Sequence, residues 1–203
     1  MANGCGDQLY YTDEFDSSLC NWDAHAVIGS DFNLKPDVTV EPNKGSLVWN
    51  FNSKTASYYL FHAFTTPYTD VKVSARVNNR GVNNNEIGLI CQYDPKEQHW
   101  YEVRIIKGGF YKIWYGEIKS GNKLVFDRIA DGASTYIKPG KDVNEYSITC
   151  SGNSLSLTVN GHEERTFIDK VHALRDGGVG LSMSSLDVVG VNVEMEWFEV
   201  SQP

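Results

Sequence analysis

A chain of 203 residues with 41% hydrophobic, 22% charged and 12% aromatic side chains is globular in composition and of a size ordinary for one β-rich domain. Its net charge of -8 argues against a nucleic-acid partner, because phosphate binding relies on a surplus of Lys and Arg on one face. No apolar run approaches the ~20 residues of a membrane-spanning helix.

In chain order, residues 1–9 read as an N-terminal extension of a single 1–203 domain, tied down by a cysteine. Met1-Ala2-Asn3-Gly4 has neither the basic start nor the apolar stretch of a secretory signal. An exported protein would therefore carry this segment as a mature or excised domain behind an added Met1. Cys5 and Cys20 bracket a polar segment, whereas Cys91 and Cys150 sit at core-facing phases of strand-like runs. Four cysteines admit three pairings. Cys5 with Cys20 and Cys91 with Cys150 is the expected set, the alternative for the second pair being two buried thiols that pack as small apolar groups. None has CxxC spacing, which argues against zinc.

Strand-like runs bounded by Gly, Asn, Asp, Ser or Pro recur over 10–15, 23–28, 38–41, 46–51, 57–63, 69–77, 86–93, 99–106, 110–118, 124–129, 145–150, 155–159, 163–168, 178–183 and 191–200. No segment sustains a helical period, so the chain reads as all-β, with enough strands for two packed sheets. Asn160-Gly161 is a strong hairpin signal, since both residues tolerate the positive φ of a type I′ turn. Ser151-Gly152-Asn153 closes the preceding hairpin, 78–85 reads as an Asn-rich loop, and 169–175 as a short helical turn.

The segment 87–118 carries the functional lead. Side chains alternate across a strand, so Tyr101, Val103 and Ile105 fall on one face and Trp100, Glu102 and Arg104 on the other. Gly108-Gly109 turns the chain, and Tyr111, Ile113 and Tyr115 then oppose Lys112 and Trp114. A core does not need tryptophans that share a face with Glu102, Arg104 and Lys112. Sugars present a flat C–H face and a rim of hydroxyls, which an aromatic platform with planar polar neighbours matches. Trp100 and Trp114 are candidate platforms, with Gln92, Glu102, Arg104 and Lys112 as the hydrogen-bonding rim. The competing reading has the two tryptophans covering the stems of Arg104 and Lys112 with no ligand. Trp22, Trp49, Phe51, Phe64, Trp197 and the aromatics of 58–61 are expected in the core, and the five histidines form no cluster by spacing.

The order GLICQYD, HWYEVRI, GGFYKIW, NEYSITCSGNSLSLTVNGHE, GGVGLSM, VEMEWFEV resembles the laminin-G-like, concanavalin A-like jelly-roll modules, including the 3-keto-disaccharide hydrolase domain family, from about Asp13 to Val200. The resemblance implies an antiparallel two-sheet β-sandwich whose concave outer surface commonly holds polysaccharide. It also places Asp16, beside Asp13 and Glu14 near the first strand, within reach of Glu196 on the last, as a calcium site completed by carbonyl oxygens.

Glu194, Glu196 and Glu199 in VEMEWFE superficially resemble the E-x-D-x-x-E pattern of concanavalin-like glucanases. Glu199 stands at odd spacing and joins the others only across a bulge, and on the resemblance the motif is expected on the family's closing C-terminal strand, whereas the glucanase motif lies on a central strand of the cleft. His162-Glu163-Glu164 lacks the second histidine of a zinc helix, and no nucleophile elbow or phosphate-binding loop occurs. No catalytic residue is therefore assigned. The leading expectation is a noncatalytic extracellular or cell-surface module that binds glycan, needs no cofactor and neighbours other domains of a longer surface protein. The alternatives are a glycoside-processing hydrolase and a self-assembling structural module.

Overall fold

The computed structural model describes residues 8–16, 18–28, 37–63, 66–106, 108–120 and 123–203, with the side chains of 25–28 excepted. Its strands are β1 (Tyr11–Asp13), β2 (Trp22–Ile28), β3 (Val38–Pro42), β4 (Leu47–Phe51), β5 (Ser57–His62), β6 (Asp70–Asn79), β7 (Glu86–Asp94) and β8 (His99–Ile106). They continue as β9 (Phe110–Lys119), β10 (Lys123–Ala133), β11 (Val143–Ser151), β12 (Ser154–Val159), β13 (His162–Ile168), β14 (Gly178–Ser184) and β15 (Val191–Ser201).

Two antiparallel sheets result. The first runs β13-β12-β11-β6-β15-β4-β3, with β1 also paired to β15, and the second runs β10-β9-β8-β7-β14-β5-β2. Between them lies one interior cluster, to which β8 gives Tyr101, Val103 and Ile105, β9 gives Tyr111 and Ile113, β6 gives Val71, Val73, Ala75 and Val77, and β15 gives Val193, Met195 and Phe198. This period-two supply makes each of these strands contribute one face to the core. Cys91 on β7 bonds Cys150 on β11 across the two sheets, with Cα atoms 6.6 Å apart. Cys20 is also disulfide-bonded, and Cys5 lies outside the described residues, as does Phe64.

Turn chemistry follows the residues that demand it. Asn160 and Gly161 take φ of 49° and 82° between β12 and β13, and Gly109 takes 94° between β8 and β9. The expected helical turn at 169–175 is instead an Asp-capped loop, since no helix forms there. Asp169 accepts from the backbone N–H groups of Val171, His172 and Ala173 and from the Tyr101 hydroxyl at 2.7 Å. A short carboxylate that gathers its own downstream amides competes with a helical ladder. Likewise β6 runs on through Asn78 and Asn79, so the Asn-rich loop starts later than its composition suggests.

Candidate functional site

The alternation that puts Tyr101, Val103 and Ile105 inside turns Trp100, Glu102 and Arg104 to the outer face of the second sheet. Register fills in their neighbours: Trp100 stands opposite Gly116, Glu102 opposite Trp114 and Arg104 opposite Lys112 on β9. On the other side, Ile90 lies opposite Glu102 and Gly88 opposite Arg104 on β7. Ser182 and Gly180 of β14 follow, then Tyr59 and Phe61 of β5. Beyond β9, Arg128 and Asp131 of β10 pair with Trp114 and Lys112.

Along one lane of this face the side chains are apolar. Tyr59, Phe61, Ile90, Tyr93, Trp100 and Ile118 form a second buried cluster, flanked by Leu124 and Phe126. Phe61 stacks on Tyr93 at 3.7 Å between centroids and meets Trp100 edge-on at 5.2 Å. Trp100 crosses Gly116, where a Cβ would stand 2.7 Å from its Cε2; only glycine leaves room for the indole there. Trp100 is therefore 0% exposed. The expected open platform at this position is instead the floor of the aromatic lane. Trp114 is half-buried, and Phe126, itself half-buried, lies 5.8 Å from it.

Beside the aromatics runs a polar lane. Glu102, 0% exposed, accepts from Arg104 Nε at 2.7 Å and Nη2 at 3.1 Å, from Trp100 Nε1 at 3.2 Å and from the Ser182 hydroxyl. Arg104 Nη2 also donates to the Tyr59 hydroxyl at 2.7 Å, and its guanidinium lies 4.1 Å over the Phe126 ring. Glu86 takes Arg104 Nη1 at 3.4 Å and Lys112 Nζ at 2.8 Å. Gly88 opens the space, since a Cβ there would collide with the Ser182 hydroxyl and the Glu102 carboxylate. Burial would lower the Arg104 pKa, but the charges of Glu102 and Glu86 and the bond to Glu102 hold it above the usual guanidinium range. Burial pushes the Tyr59 hydroxyl up, out of reach of ordinary pH.

The structure thus brings together five of the six expected ligand residues, Trp100, Glu102, Arg104, Lys112 and Trp114, on one face. Gln92 is elsewhere. The register of β7 against β8 shifts between Cys91 and Asp94, Gln92 adopts φ 52°, and its amide donates to the Gly152 carbonyl at 2.8 Å at the end of the sandwich. A bulge breaks the alternation on which the expectation rested. Sequence alternation missed Glu86, Tyr59, Phe61, Ser182 and Phe126. Tyr59 and Phe61 were legible as the outward phase of SYYLFH, which is apolar on both phases, but that pattern also fits a strand buried on both faces.

The outer face of the first sheet is of a different kind. Arg76 bridges Glu145 and Glu196, and Arg80 pairs with Glu194 at 2.8 Å, all substantially exposed. A register shift between Met195 and Trp197 gives Glu199 and Glu194 the same outward phase, the bulge that the motif required. On this face, however, Glu194 and Glu196 are occupied by arginines. Asp13 is likewise committed, to Phe15 N and Trp22 Nε1 at 2.8 Å each. Asp16 lies exposed beside the β3–β4 turn, where a Cβ on Gly45 would meet its Oδ1 at 3.2 Å. Among the described residues no group of three or more His, Cys, Asp and Glu gathers as a metal set, and Glu196 accepts from Arg76 Nε at 2.6 Å. His99 points to the interior side, 5.9 Å from Tyr115.

Comparison with known proteins places the fold. No family model and no curated protein matches this chain. Among solved structures it is similar to a protein of unknown function with a galectin-like fold from Bacillus subtilis, at 11% identity over 97% of each chain and a TM-score of 0.67. The β-glucanase of Bacillus licheniformis superposes at 10% identity, TM-score 0.64, over 96% of this chain and 98% of that one. The carbohydrate-binding module CBM66 from Bacillus subtilis does so at 10% identity, TM-score 0.57, over 86% and 91%. The shared feature is the fold. This chain is a galectin-like, concanavalin-like jelly-roll sandwich.

Proposed function

We propose that the protein is a noncatalytic carbohydrate-binding module that holds a glycan on the outer face of its second sheet. The observation that carries the reading is the pairing, on that one outward face, of an aromatic lane with a fully hydrogen-bonded polar lane. A buried ion-pair network adds little net stability, because apolar residues of the same volume often serve as well. Its place on an outward face is accounted for by recognition, in which fixed donors and acceptors orient hydroxyl groups beside an aromatic surface. Trp114 and Phe126 supply the accessible platform, Lys112 and Arg128 its polar rim, and Trp100, Glu102 and Arg104 the rigid support beneath.

The state of the buried carboxylates supports a noncatalytic role. Glu102 is 0% exposed with both oxygens accepting hydrogen bonds, and the Arg104 guanidinium stands between it and Glu86. Neither is free to act as nucleophile or acid. The fold is one that a β-glucanase and a carbohydrate-binding module also use, which supports polysaccharide as the partner class. The Cys91–Cys150 disulfide supports an oxidising, extracellular location, where such bonds persist.

The test is retardation of the protein in native gels cast with a panel of soluble polysaccharides, with reducing-sugar release measured on the same panel. Retardation without turnover is expected. Failure of every polymer to retard the protein, or hydrolysis of one, would contradict the reading.

A further inference from the structure

Among the described residues, the charged side chains on the second sheet's outer face are paired. Glu102 matches Arg104, Glu86 matches Lys112 and the far side of Arg104, and Arg128 lies 3.5 Å from Asp131. Asp23, opposite Phe61 in register and near enough to Tyr93 to help raise its pKa to about 12 after burial, adds a fourth carboxylate against three cations. The pairing is also graded by depth. Glu86 is 4% exposed while Lys112, its partner, is 34% exposed. Of the two cations that Glu86 holds, Lys112 is the one a ligand meets first, since the Arg104 side chain is 9% exposed, and it arrives already neutralised from below.

Resting on the reading of this face as a glycan site, we infer that Glu86 is a selectivity residue. By holding Lys112 and Arg104 it confines the site to uncharged glycans and turns away uronate- or sulfate-bearing ones. An acidic sugar brought to this face must either compete with Glu86 for Lys112 or stand beside carboxylates with no free countercharge, and both are unfavourable. An uncharged sugar instead finds donors and acceptors already oriented. The chain's net charge of -8 works in the same direction at longer range.

The experiment compares retardation of the full chain by neutral polymers (mixed-linkage β-glucan, laminarin, levan) and acidic ones (alginate, polygalacturonate, chondroitin sulfate) at one ionic strength. The wild type is expected to be slowed by at least one neutral polymer and by none of the acidic ones. Glu86→Gln, nearly isosteric, should gain retardation by acidic polymers that added salt abolishes. Circular dichroism establishes that the variant is folded; if it is not, Asp131→Asn, which frees the exposed Arg128, should show the same gain in smaller measure. Retardation of the wild type by acidic polymers overturns the inference, as does a folded variant with no gain while neutral binding stands. If no polymer of either class slows the wild type, the glycan reading falls and takes this inference with it.

Discussion

Arg104 and Glu102, two residues apart on β8, bond each other twice, Nε to Oε1 at 2.7 Å and Nη2 to Oε2 at 3.1 Å. The pairing is possible because i and i+2 share a face of a strand, and because Gly88 across the ladder leaves the carboxylate room.

Removing one member strands the other. Arg104→Met leaves Glu102 buried without its main countercharge, which typically costs about 3–5 kcal/mol. Urea unfolding should show a correspondingly lower midpoint at unchanged slope, whereas Arg76→Met, at an exposed pair, should change stability by less than about 1 kcal/mol.

Gly88→Ala and Gly116→Ala test the close approaches on the same face. Each adds a methyl group where a carboxylate or an indole already sits, and such overpacking costs about 1–3 kcal/mol. Gly161→Ala meets no neighbour within 4 Å but carries φ 82°, so its penalty comes from backbone strain alone. Thermal melts of the three variants separate the two causes: the tryptophan near-ultraviolet dichroism should change in Gly116→Ala and not in Gly161→Ala.

Much of this was legible in the sequence, and the reasons differ by residue. The outward phase of Trp100, Glu102, Arg104, Lys112 and Trp114 follows from strict alternation through HWYEVRI and FYKIWY, two packed sheets follow from the number of strands, and the jelly roll is what the family resemblance implies. Alternation gives the face but not the depth. Trp100 is buried because Gly116 lies opposite and Phe61, Tyr59 and Phe126 close around it, contacts set by register among β5, β8, β9 and β10. Gln92 escaped because a bulge leaves no mark in GLICQYD that differs from a regular strand. Glu86 stood at the right phase of its strand, and only the three-dimensional approach of Lys112 reveals what it does.

The disulfide gives a third prediction. Cys91 and Cys150 are separated by 59 residues, and closing a loop of that length restricts the unfolded chain by about 4 kcal/mol in the chain-entropy account. The Cys91→Ala/Cys150→Ala double variant should lose stability of that order in urea. Both cysteines are 0% exposed, so reductant should lower the midpoint of the wild type only when the chain is allowed to unfold in its presence.

Asp169 sets a fourth, in pH. Burial would raise its pKa, but the Tyr101 hydroxyl and the amides of Val171, His172 and Ala173 outweigh burial and hold it below the usual carboxylate value. A group whose folded pKa is depressed contributes stability that is full above its unfolded pKa, about 3.9 for Asp, and is lost as pH falls through the folded value. Wild type and Asp169→Asn should therefore differ in urea midpoint at neutral pH and converge as the pH drops below about 4. A difference that persists undiminished at low pH would assign the loop's stability to other contacts.

The tryptophans provide the most direct test of the central claim, that the outer face of the second sheet binds glycan at Trp114 and Phe126. In a nitrogen-15 heteronuclear spectrum of the labelled protein, with indole signals assigned by single Trp→Phe variants, a neutral oligosaccharide is titrated from the polymer that retards the protein. Glycan binding there predicts that the Trp114 indole resonance shifts saturably, that Trp100 beneath it follows by less, and that Trp49 in the interior stays in place, as does Trp197, which is not in the core as expected but half-buried opposite Arg76 on the outward phase of the other sheet. It also predicts that Phe126→Ala weakens the titration at least about tenfold, some 1.4 kcal/mol. A saturable shift at Trp197 with Trp114 unmoved would place the ligand on the other face and contradict the account.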